Sequence, residues 1–264
     1  MPTTAPLVRS YEESAVLIAG GTSGIGLASA IQFLGAGVRR IGLMARDEAR
    51  GQAAKSLLLG LQPDAQVEFL AADADDFHQV AETVEVMHSR LGGIDVAVSS
   101  VAASYRPELL HNTPIEDLSS ILTRQALPPM YLTRSVLPFM RVQGGGSIIN
   151  VASDAAKVAT PGESVLGAGM AAIVMFSRTA AIEGKRNGIR VNAVTPSLVA
   201  GTITAERVLS DGFSKKLFEN AAKQAHLGVA EPEDLAALIV FLGGPGASRL
   251  TGQAISVNGG ISAA

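Results

Sequence analysis

The sequence predicts an α/β protein with a doubly wound, seven-stranded parallel sheet, and three observations lead to this prediction. Short apolar runs alternate along the chain with longer segments whose apolar residues recur at helical spacing. Most of the runs show no regular alternation of apolar and polar residues, which is typical of parallel strands buried on both faces. Seven such runs occur in 264 residues, enough for one large sheet covered by helices on both sides.

The seven predicted strands are apolar runs bounded by Gly, Asp or Asn. They are Ala15–Ala19, Ile41–Met44, Val67–Ala71, Val96–Val98, Ser147–Val151, Ile189–Val194 and Ala254–Val257. The predicted helices between them are Gly24–Gly35, Asp47–Leu59, Asp75–Leu91, a segment around Pro114–Met140, and Glu163–Asn187. Residues 200–230 interrupt this alternation with a polar, weakly patterned stretch. We predict that they form a lid within one domain that spans residues 1–264.

The composition excludes several classes of protein. With 47% hydrophobic and 17% charged residues, the chain is too apolar to be intrinsically disordered. It contains no Cys, which excludes disulfides, thiolate metal sites and a Cys nucleophile. The net charge of −3 is spread along the chain without a basic stripe, so we expect no nucleic-acid partner. No His, Asp and Glu residues cluster at the spacing of metal ligands, so we expect no metal.

The chain shows no signal for export or membrane insertion. Residues 1–14 are polar and charged where a signal peptide would carry a run of about 7–15 apolar residues. The longest apolar stretches, such as Met170–Phe176, are far shorter than the roughly 18 residues that a membrane span needs. We therefore expect a cytoplasmic protein without a membrane partner.

A glycine-rich turn follows the first predicted strand. It reads Gly20-Gly21-Thr22-Ser23-Gly24-Ile25-Gly26 and leads directly into a helical segment. Glycines at such a turn let the backbone approach a pyrophosphate, which then lies on the N-terminus of the helix. The motif therefore predicts a dinucleotide site of the Rossmann type, and a merely structural turn is the alternative. The candidate cofactor contacts in this turn are Gly20, Thr22, Ser23, Gly24, Ile25 and Gly26.

The end of the second predicted strand indicates which dinucleotide is bound. An NAD site carries an acidic residue here for the ribose hydroxyls, whereas this chain has Ala45 followed by Arg46. Without the carboxylate a 2′-phosphate is not repelled, and a guanidinium can bind it through two hydrogen bonds. We predict that NADP(H) is favoured over NAD(H). The alternative is that Arg46 is a surface residue at the start of the next helix.

Motifs along residues 14–262 resemble those of the short-chain dehydrogenases/reductases. Ile94-Asp95-Val96-Ala97-Val98 resembles the family's fourth strand, and Ser147-Ile148-Ile149-Asn150-Val151-Ala152-Ser153 resembles the fifth, which ends at the active-site Ser. Arg190-Val191-Asn192-Ala193-Val194-Thr195-Pro196 resembles the sixth strand. The family's C-terminal end is matched by Glu231-Pro232-Glu233-Asp234-Leu235, Leu250-Thr251-Gly252-Gln253 and Val257-Asn258-Gly259-Gly260. As a set, these motifs identify the chain as a member of that family.

The resemblance implies a sheet order, further cofactor contacts and an assembly. In the family the strand order is 3-2-1-4-5-6-7. Additional contacts to the dinucleotide are implied for Asp73, Ala74, Ser99, Pro196, Val199 and Thr202. Residues 200–230 correspond to the lid over a small-molecule substrate. The helices around Pro114–Met140 and Glu163–Asn187 correspond to those through which members form homodimers or homotetramers.

The family's proton-transfer residues are missing from their expected positions. The family uses a Tyr as general acid/base and a Lys four residues later, and the spacing from Ser153 puts Leu166 and Met170 there. The Asn of the family's catalytic tetrad falls on Gln125, so only the Ser remains. Neither Leu nor Met can donate or accept a proton at neutral pH. The resemblance therefore implies a retained cofactor site with altered proton chemistry.

Four residues are candidates for the missing chemistry or for substrate contact. Ser153 can donate a hydrogen bond to a carbonyl or imine. Glu163 lies beside apolar Leu166, which can raise its pKa into the working range, although Glu in the first turn of a helix is also ordinary dipole stabilisation. Tyr105, by the resemblance, lies in the loop above the nicotinamide or is simply part of the substrate wall. Asp154 follows Ser153 directly or caps a turn.

Two functions remain open from the sequence. The first is an NADP(H)-dependent oxidoreductase that reduces a C=N bond or an activated C=O group; an iminium needs no acid, because it already carries the charge that hydride neutralises. The second is a catalytically degenerate member that acts as a dinucleotide-binding sensor, a partner subunit, or a non-redox isomerase or cyclase. Retention of Ser153 and Pro196 favours the first function, and the combined loss of Tyr, Lys and Asn favours the second.

Overall fold

The computed structural model describes residues 8–210 and 212–263. The strands in these ranges are β1 (Ala15–Ala19), β2 (Arg40–Ala45), β3 (Gln66–Ala71), β4 (Val96–Ser99), β5 (Gly146–Val151), β6 (Ile189–Pro196) and β7 (Ala254–Val257). They form one parallel sheet in the order β3-β2-β1-β4-β5-β6-β7, which confirms the predicted fold class and strand order.

Helices cover both faces of this sheet. In the same ranges they are α1 (Gly24–Ala36), α2 (Glu48–Leu61), α3 (Phe77–Leu91), α4 (Leu118–Gln143), α5 (Ser164–Gly184), α6 (Ile203–Val208), α7 (Gly212–Gln224) and α8 (Pro232–Gly243). Helix α8 was not among the predicted helices, because its C-terminal half is an unbroken apolar run without helical period. The capping box between Glu231 and Asp234 was the signal that could have located its start.

The core consists of apolar layers on both faces of the sheet, and β1 contributes side chains to both. Each residue of this strand is at most 1% exposed, so both of its faces are covered. Val16 and Ile18 pack in the cluster that contains Phe33 of α1, whereas Leu17 packs in the cluster that contains Met87 of α3. Because neighbouring side chains of a strand point to opposite faces, one apolar run supports two helical layers.

Residues 200–230, predicted as a lid, fold into α6 and α7. Thr202 caps α6 by accepting a hydrogen bond from the Ala205 backbone N–H at 3.1 Å. Val208 of α6 and Phe218 of α7 belong to one apolar cluster with Leu198, at the end of β6. The two helices are therefore packed beside the carboxyl ends of the strands.

The described residues include one helix that is long and apolar enough to cross a membrane, α5 with the turn that follows it (Ser164–Asn187). This differs from the expectation that no stretch reaches that length, because the small residues between the apolar ones do not interrupt the helix. Core helices of soluble proteins pass the same test, and α5 packs against α4 and β6.

Candidate active site

A cleft of about 840 Å³ opens at the carboxyl ends of the strands. Doubly wound sheets bind ligands at this edge, where loops leave neighbouring strands in different directions. The predicted cofactor residues that line the cleft are Gly20, Thr22, Ser23, Gly24, Ile25, Arg46, Asp73, Ala74, Pro196, Val199 and Thr202. The predicted catalytic and tetrad positions that line it are Tyr105, Gln125, Ser153, Glu163, Leu166 and Met170. The structure therefore brings almost all of the candidate residues into one cavity.

Two predicted cofactor residues do not line the cleft. Ser99 is only 1% exposed and lies between Ala19 and Asn150 in the sheet, because β4 ends at this residue and the chain reaches the cleft at Ser100. Gly26 is the other. A Cβ at Gly26 would collide with the carbonyl oxygen of Gly20 and lie 2.8 Å from its carbonyl carbon. Gly26 thus lets α1 pack against the turn and does not itself border the cavity.

The glycine turn also needs a left-handed backbone. Gly20 has φ +78, and a Cβ there would lie 2.5 Å from the carbonyl oxygen of Ser100. A side chain at this position would therefore be strained both by its backbone conformation and by the neighbouring loop. Because Gly20 and Gly24 have no side chains, the backbone of the turn is open toward the cleft at these two positions.

The N-terminus of α1 fits an anionic group. Ser23 is the N-cap residue, but its side chain makes no capping hydrogen bond within the described residues, and the first turn holds no acidic side chain. Backbone N–H groups at a helix N-terminus are unsatisfied within the helix and carry a partial positive charge. The cleft-facing start of α1 is therefore suited to bind a pyrophosphate.

The end of β2 supplies a free cation at the far side of the cleft. Arg46 is exposed, lines the cleft, and makes no hydrogen bond or ion pair with any residue in the described ranges. The neighbouring Asp47 is engaged, because it caps α2 by accepting from the Arg50 backbone N–H at 2.9 Å and lies 3.6 Å from the Arg50 guanidinium. Arg46 is thus available for a ligand anion.

Ser153 lies at the end of β5 and keeps its hydroxyl hydrogen available. Its Oγ accepts a hydrogen bond from the Ala155 backbone N–H at 3.2 Å. The hydroxyl can therefore donate to a group in the cleft while its oxygen is oriented by the backbone.

Gln125 is a buried amide that faces the same cavity. It lies on α4, is 5% exposed, and its side chain has no hydrogen-bond partner within residues 8–210 and 212–263. Gly169 on α5 permits this arrangement, since a Cβ there would lie 3.1 Å from the Cβ of Gln125. The amide of this largely buried residue borders the cavity and has no partner among the described residues, so it is available to hydrogen-bond a ligand.

Glu163 is the carboxylic acid of the cleft. It immediately precedes α5 and is 9% exposed. Burial raises its pKa from 4.5 to about 7, because the charged form is poorly solvated, and a hydrogen bond from the Thr160 side chain only partly opposes this. Near neutral pH the side chain is thus able both to donate and to accept a proton.

The burial of Glu163 results from segments that are distant in the sequence. The carbonyl oxygen of Gly162 accepts hydrogen bonds from the Glu108 backbone N–H at 3.0 Å and from the Tyr105 hydroxyl at 3.3 Å. The ring of Phe213 on α7 lies against Gly162, where a Cβ would come within 2.5 Å of its Cε1. The loop after β4 and the lid therefore both close on the turn that holds Glu163.

Tyr105 is a poorer candidate for the acid than Glu163. Its hydroxyl donates to a backbone carbonyl, and burial together with the nearby charge of Glu163 raises its pKa further above 10.0. A phenol with a raised pKa gives up its proton reluctantly at neutral pH. The contact with Gly162 indicates that Tyr105 holds the wall of the cleft.

Asp154 is engaged in a buried network, although it borders the cleft. Its carboxylate accepts hydrogen bonds from Ser256 Oγ at 2.9 Å, from Ser262 Oγ at 2.7 Å and from the Asn258 side-chain amide. These bonds tie the end of β5 to β7 and to the segment after it, and Ser262 of that segment also lines the cleft. Its acceptor sites are therefore used within the protein.

The raised pKa of Glu163 predicts a pH-dependent stability. Between pH 4.5 and about 7 the folded chain keeps this proton while the unfolded chain loses it, so the stability conferred by protonation is lost as pH rises. Glu163→Gln remains neutral, and we expect its free energy of unfolding to exceed that of the wild type by up to about 3 kcal/mol above pH ~7. Urea unfolding on both sides of this window measures the difference. An identical pH dependence of both proteins would contradict it.

Comparison with known proteins places the chain in a family. Residues 19–262 match a family model described as enoyl-(acyl carrier protein) reductase. The chain belongs to the short-chain dehydrogenase/reductase family. A curated relative of this short-chain dehydrogenase/reductase is the 3-oxoacyl-[acyl-carrier-protein] reductase of Thermotoga maritima, 30% identical over 256 residues, 95% of this chain and 98% of the relative.

Solved structures of the family resemble this short-chain dehydrogenase/reductase over its full fold. A short chain oxidoreductase from Pseudomonas aeruginosa PAO1, described as containing an atypical catalytic center and solved with NADPH, is 28% identical, with a TM-score of 0.86 over 98% of this chain and 100% of that chain. The L-sorbose reductase of Gluconobacter frateurii, solved with NADPH and L-sorbose, is 30% identical, with a TM-score of 0.82 over 98% of each chain.

Proposed function

We propose that this protein is an NADP(H)-dependent oxidoreductase that reduces a C=N or activated C=O group of a small molecule. The observation that carries the proposal is the position of Glu163, a buried carboxyl with a pKa of about 7 in the cleft that also contains the glycine turn. A dinucleotide site and a proton donor active near neutral pH are the two requirements for reducing a carbonyl group or a neutral imine. The NADPH-bound Pseudomonas relative with an atypical catalytic center supports it.

We further propose that the chain is a divergent member without the family's Tyr and Lys. Leu166 and Met170 are one helical turn apart on α5, and both line the cleft. Neither can exchange a proton. The apolar surface that they form next to Glu163 contributes to the poor solvation of its carboxylate.

The protein's residues divide the remaining chemistry between them. The dinucleotide supplies hydride when it is bound. The Ser153 hydroxyl donates a hydrogen bond to the oxygen or nitrogen of the substrate double bond. That atom receives the π electrons as the carbon is reduced, and Glu163 gives it a proton. For an iminium substrate no proton is needed, and the ionised form of Glu163 stabilises the cation.

A single-turnover assay tests the proposal. The purified protein is loaded with NADPH and mixed with panels of cyclic imines, iminium ions and β-ketoacyl thioesters while NADPH absorbance is followed. We expect oxidation by at least one of these classes. Binding of NADPH without oxidation by any of them would favour the degenerate member, for which the apolar pair Leu166 and Met170 is the supporting observation.

We propose that the lid closes over the substrate and that α4 and α5 form the contacts between copies of the chain. Residues 200–230 close over a small-molecule substrate within a single domain, since α6 and α7 both line the cleft. Copies of the chain form homodimers or homotetramers through α4 and α5. Exposed apolar side chains on these helices support this, namely Leu122, Met175 and Ile182.

Cofactor choice is tested at Arg46. We expect Arg46→Ala to weaken NADPH binding by about 1–3 kcal/mol, because a charge-assisted hydrogen bond to the 2′-phosphate is lost, and to leave NADH binding nearly unchanged. Fluorescence titration with both nucleotides measures this. Arg50→Ala is the matched control, since Arg50 borders the same end of the cleft but is paired with Asp47. Equal losses for NADPH and NADH would contradict the assignment.

The roles of positions 166 and 170 are tested by introducing the Tyr and Lys that the family carries there. We expect the double variant Leu166→Tyr, Met170→Lys to gain reduction of simple ketones by about 10²-fold or more, because it supplies a positioned general acid. The rate of NADPH oxidation with a ketone panel measures the gain, and Leu166→Phe with Met170→Lys is the control that lacks the hydroxyl. Equal rates for the two double variants would show that the restored phenol does not reach the substrate.

A further inference from the structure

Both lid helices line the cleft. On α6 the cleft-lining residues are Ile203, Thr204, Ala205, Arg207 and Val208. On α7 the cleft-lining residues include Leu217, Phe218, Ala221 and Gln224. The lid end of the cleft is therefore mainly apolar, with one formal positive charge on α6.

Arg207 carries that charge, and residues 8–210 and 212–263 provide no counter-ion for it. It is half-buried and forms no hydrogen bond or ion pair through its side chain with any residue of the described ranges. The cleft-lining Arg124, by contrast, is paired with Asp75 at 2.9 Å. Partial burial of an unpaired guanidinium is unfavourable, and a guanidinium offers a planar set of donors that matches carboxylate or phosphate oxygens.

The position of Arg207 separates it from the glycine turn. Thr202, at the start of α6, lies over that turn, with its Cγ2 3.5 Å from where a Cβ of Gly24 would be. Arg207 is five residues further along, which is about 7.5 Å along a helix axis. Its Cα is therefore displaced along the lid, away from the residues that would hold the pyrophosphate.

We propose that Arg207 binds an anionic oxygen group, a carboxylate or a phosphate, at one end of the substrate. The apolar body of that substrate lies along Leu217 and Phe218 of α7 and extends toward Leu166 and Ser153. This inference rests on the proposed function, since it names the class of compound that the site reduces. An acidic substrate with an apolar body matches a lid that combines an apolar face with a guanidinium for which the described part of the chain offers no partner.

The test compares anionic and neutral ligands of one chain length. Octanoate, octyl phosphate and octanamide are titrated into the full-length protein by calorimetry, with and without NADP+. We expect at least one of the two anions to bind about tenfold or more tightly than octanamide, and the tighter one distinguishes carboxylate from phosphate recognition. Arg207→Gln should abolish this preference, and Arg207→Lys should retain part of it.

Lys216→Gln is the matched control. It removes one positive charge from the lid at an exposed residue of α7 that does not line the cleft, and the anion preference should survive. The inference is overturned if no anion binds more tightly than octanamide to the wild type, or if Arg207→Gln keeps the preference. It is also overturned if Arg207→Gln weakens NADPH binding by the same factor by which it weakens anion binding. That result would assign the guanidinium to the cofactor. Failure of the wild type to bind NADPH would instead refute the proposed function, because the anion preference is also measured without nucleotide.

Discussion

Glu163→Gln is expected to slow single-turnover reduction by a hundredfold or more. The substitution preserves shape and burial but removes the ionisable proton, and loss of a positioned general acid typically costs about 10²–10⁴-fold in rate. Glu163 is 9% exposed and lines the cleft, so bulk water is a poor substitute donor. The measurement is stopped-flow NADPH oxidation with whichever imine or ketone the wild type reduces, since an iminium substrate needs no acid.

The pH profile separates this role from a structural one. Because the carboxyl has a pKa of about 7, the wild-type rate should fall about tenfold per pH unit above that value as the proton is lost. The variant should lack this limb of the profile and bind NADPH with unchanged affinity. Glu206→Gln, at an exposed residue of α6 outside the cleft, should behave as the wild type. Equal rates for Glu163→Gln and the wild type would exclude Glu163 as the acid.

Gly26→Ala is expected to weaken dinucleotide binding by about a hundredfold or more. The added Cβ would meet the backbone of the turn itself, 2.8 Å from the carbonyl carbon of Gly20 and 3.0 Å from the Cα of Gly21. Backbone atoms cannot rotate away, so α1 and the turn must separate by roughly 1 Å. The backbone N–H groups of the turn would then no longer meet the pyrophosphate at hydrogen-bond distance, and we expect the affinity for NADPH to fall by about 10²-fold or more. Fluorescence titration measures it.

Gly35→Ala is the control for this prediction on the same helix. A Cβ at Gly35 meets no atom within 4 Å, and the residue is exposed. Replacement of an exposed helical Gly by Ala stabilises a helix by up to about 1 kcal/mol. This variant should melt slightly higher than the wild type and bind NADPH normally. A Gly26→Ala protein that binds NADPH as tightly as the wild type would show that close packing of α1 on the turn is not required.

The fold could be predicted in most of its parts because its signals are local. The apolar run at β1 and the glycine turn after it are contiguous in sequence, and the strand order followed from the resemblance that these and later motifs carry. The elements that were missed have weak local signals. The C-terminal half of helix α8 is an unbroken apolar run, and α6 and α7 are short or polar and depend on packing at Leu198.

The sequence predicted which residues belong to the candidate site, but it did not show which of them is the proton donor. From the sequence, Tyr105, Asp154 and Glu163 were three possible acids. The structure distinguishes them through contacts between segments far apart in the chain. The Tyr105 hydroxyl is bonded to Gly162, and the Asp154 carboxylate is bonded to Ser256 and Ser262.

The sequence by itself determined the class of fold and the place of the glycine turn, because both follow from the order of residue types along the chain. It also determined that positions 166 and 170 hold Leu and Met where the family has Tyr and Lys. Only the tertiary structure decided that Glu163 is buried and that Arg207 faces the cleft without a side-chain partner among the described residues. Burial and pairing depend on what the loop after β4 and the lid bring near these side chains. A carboxyl's pKa and a guanidinium's need for a partner are set by those surroundings, which no local pattern encodes.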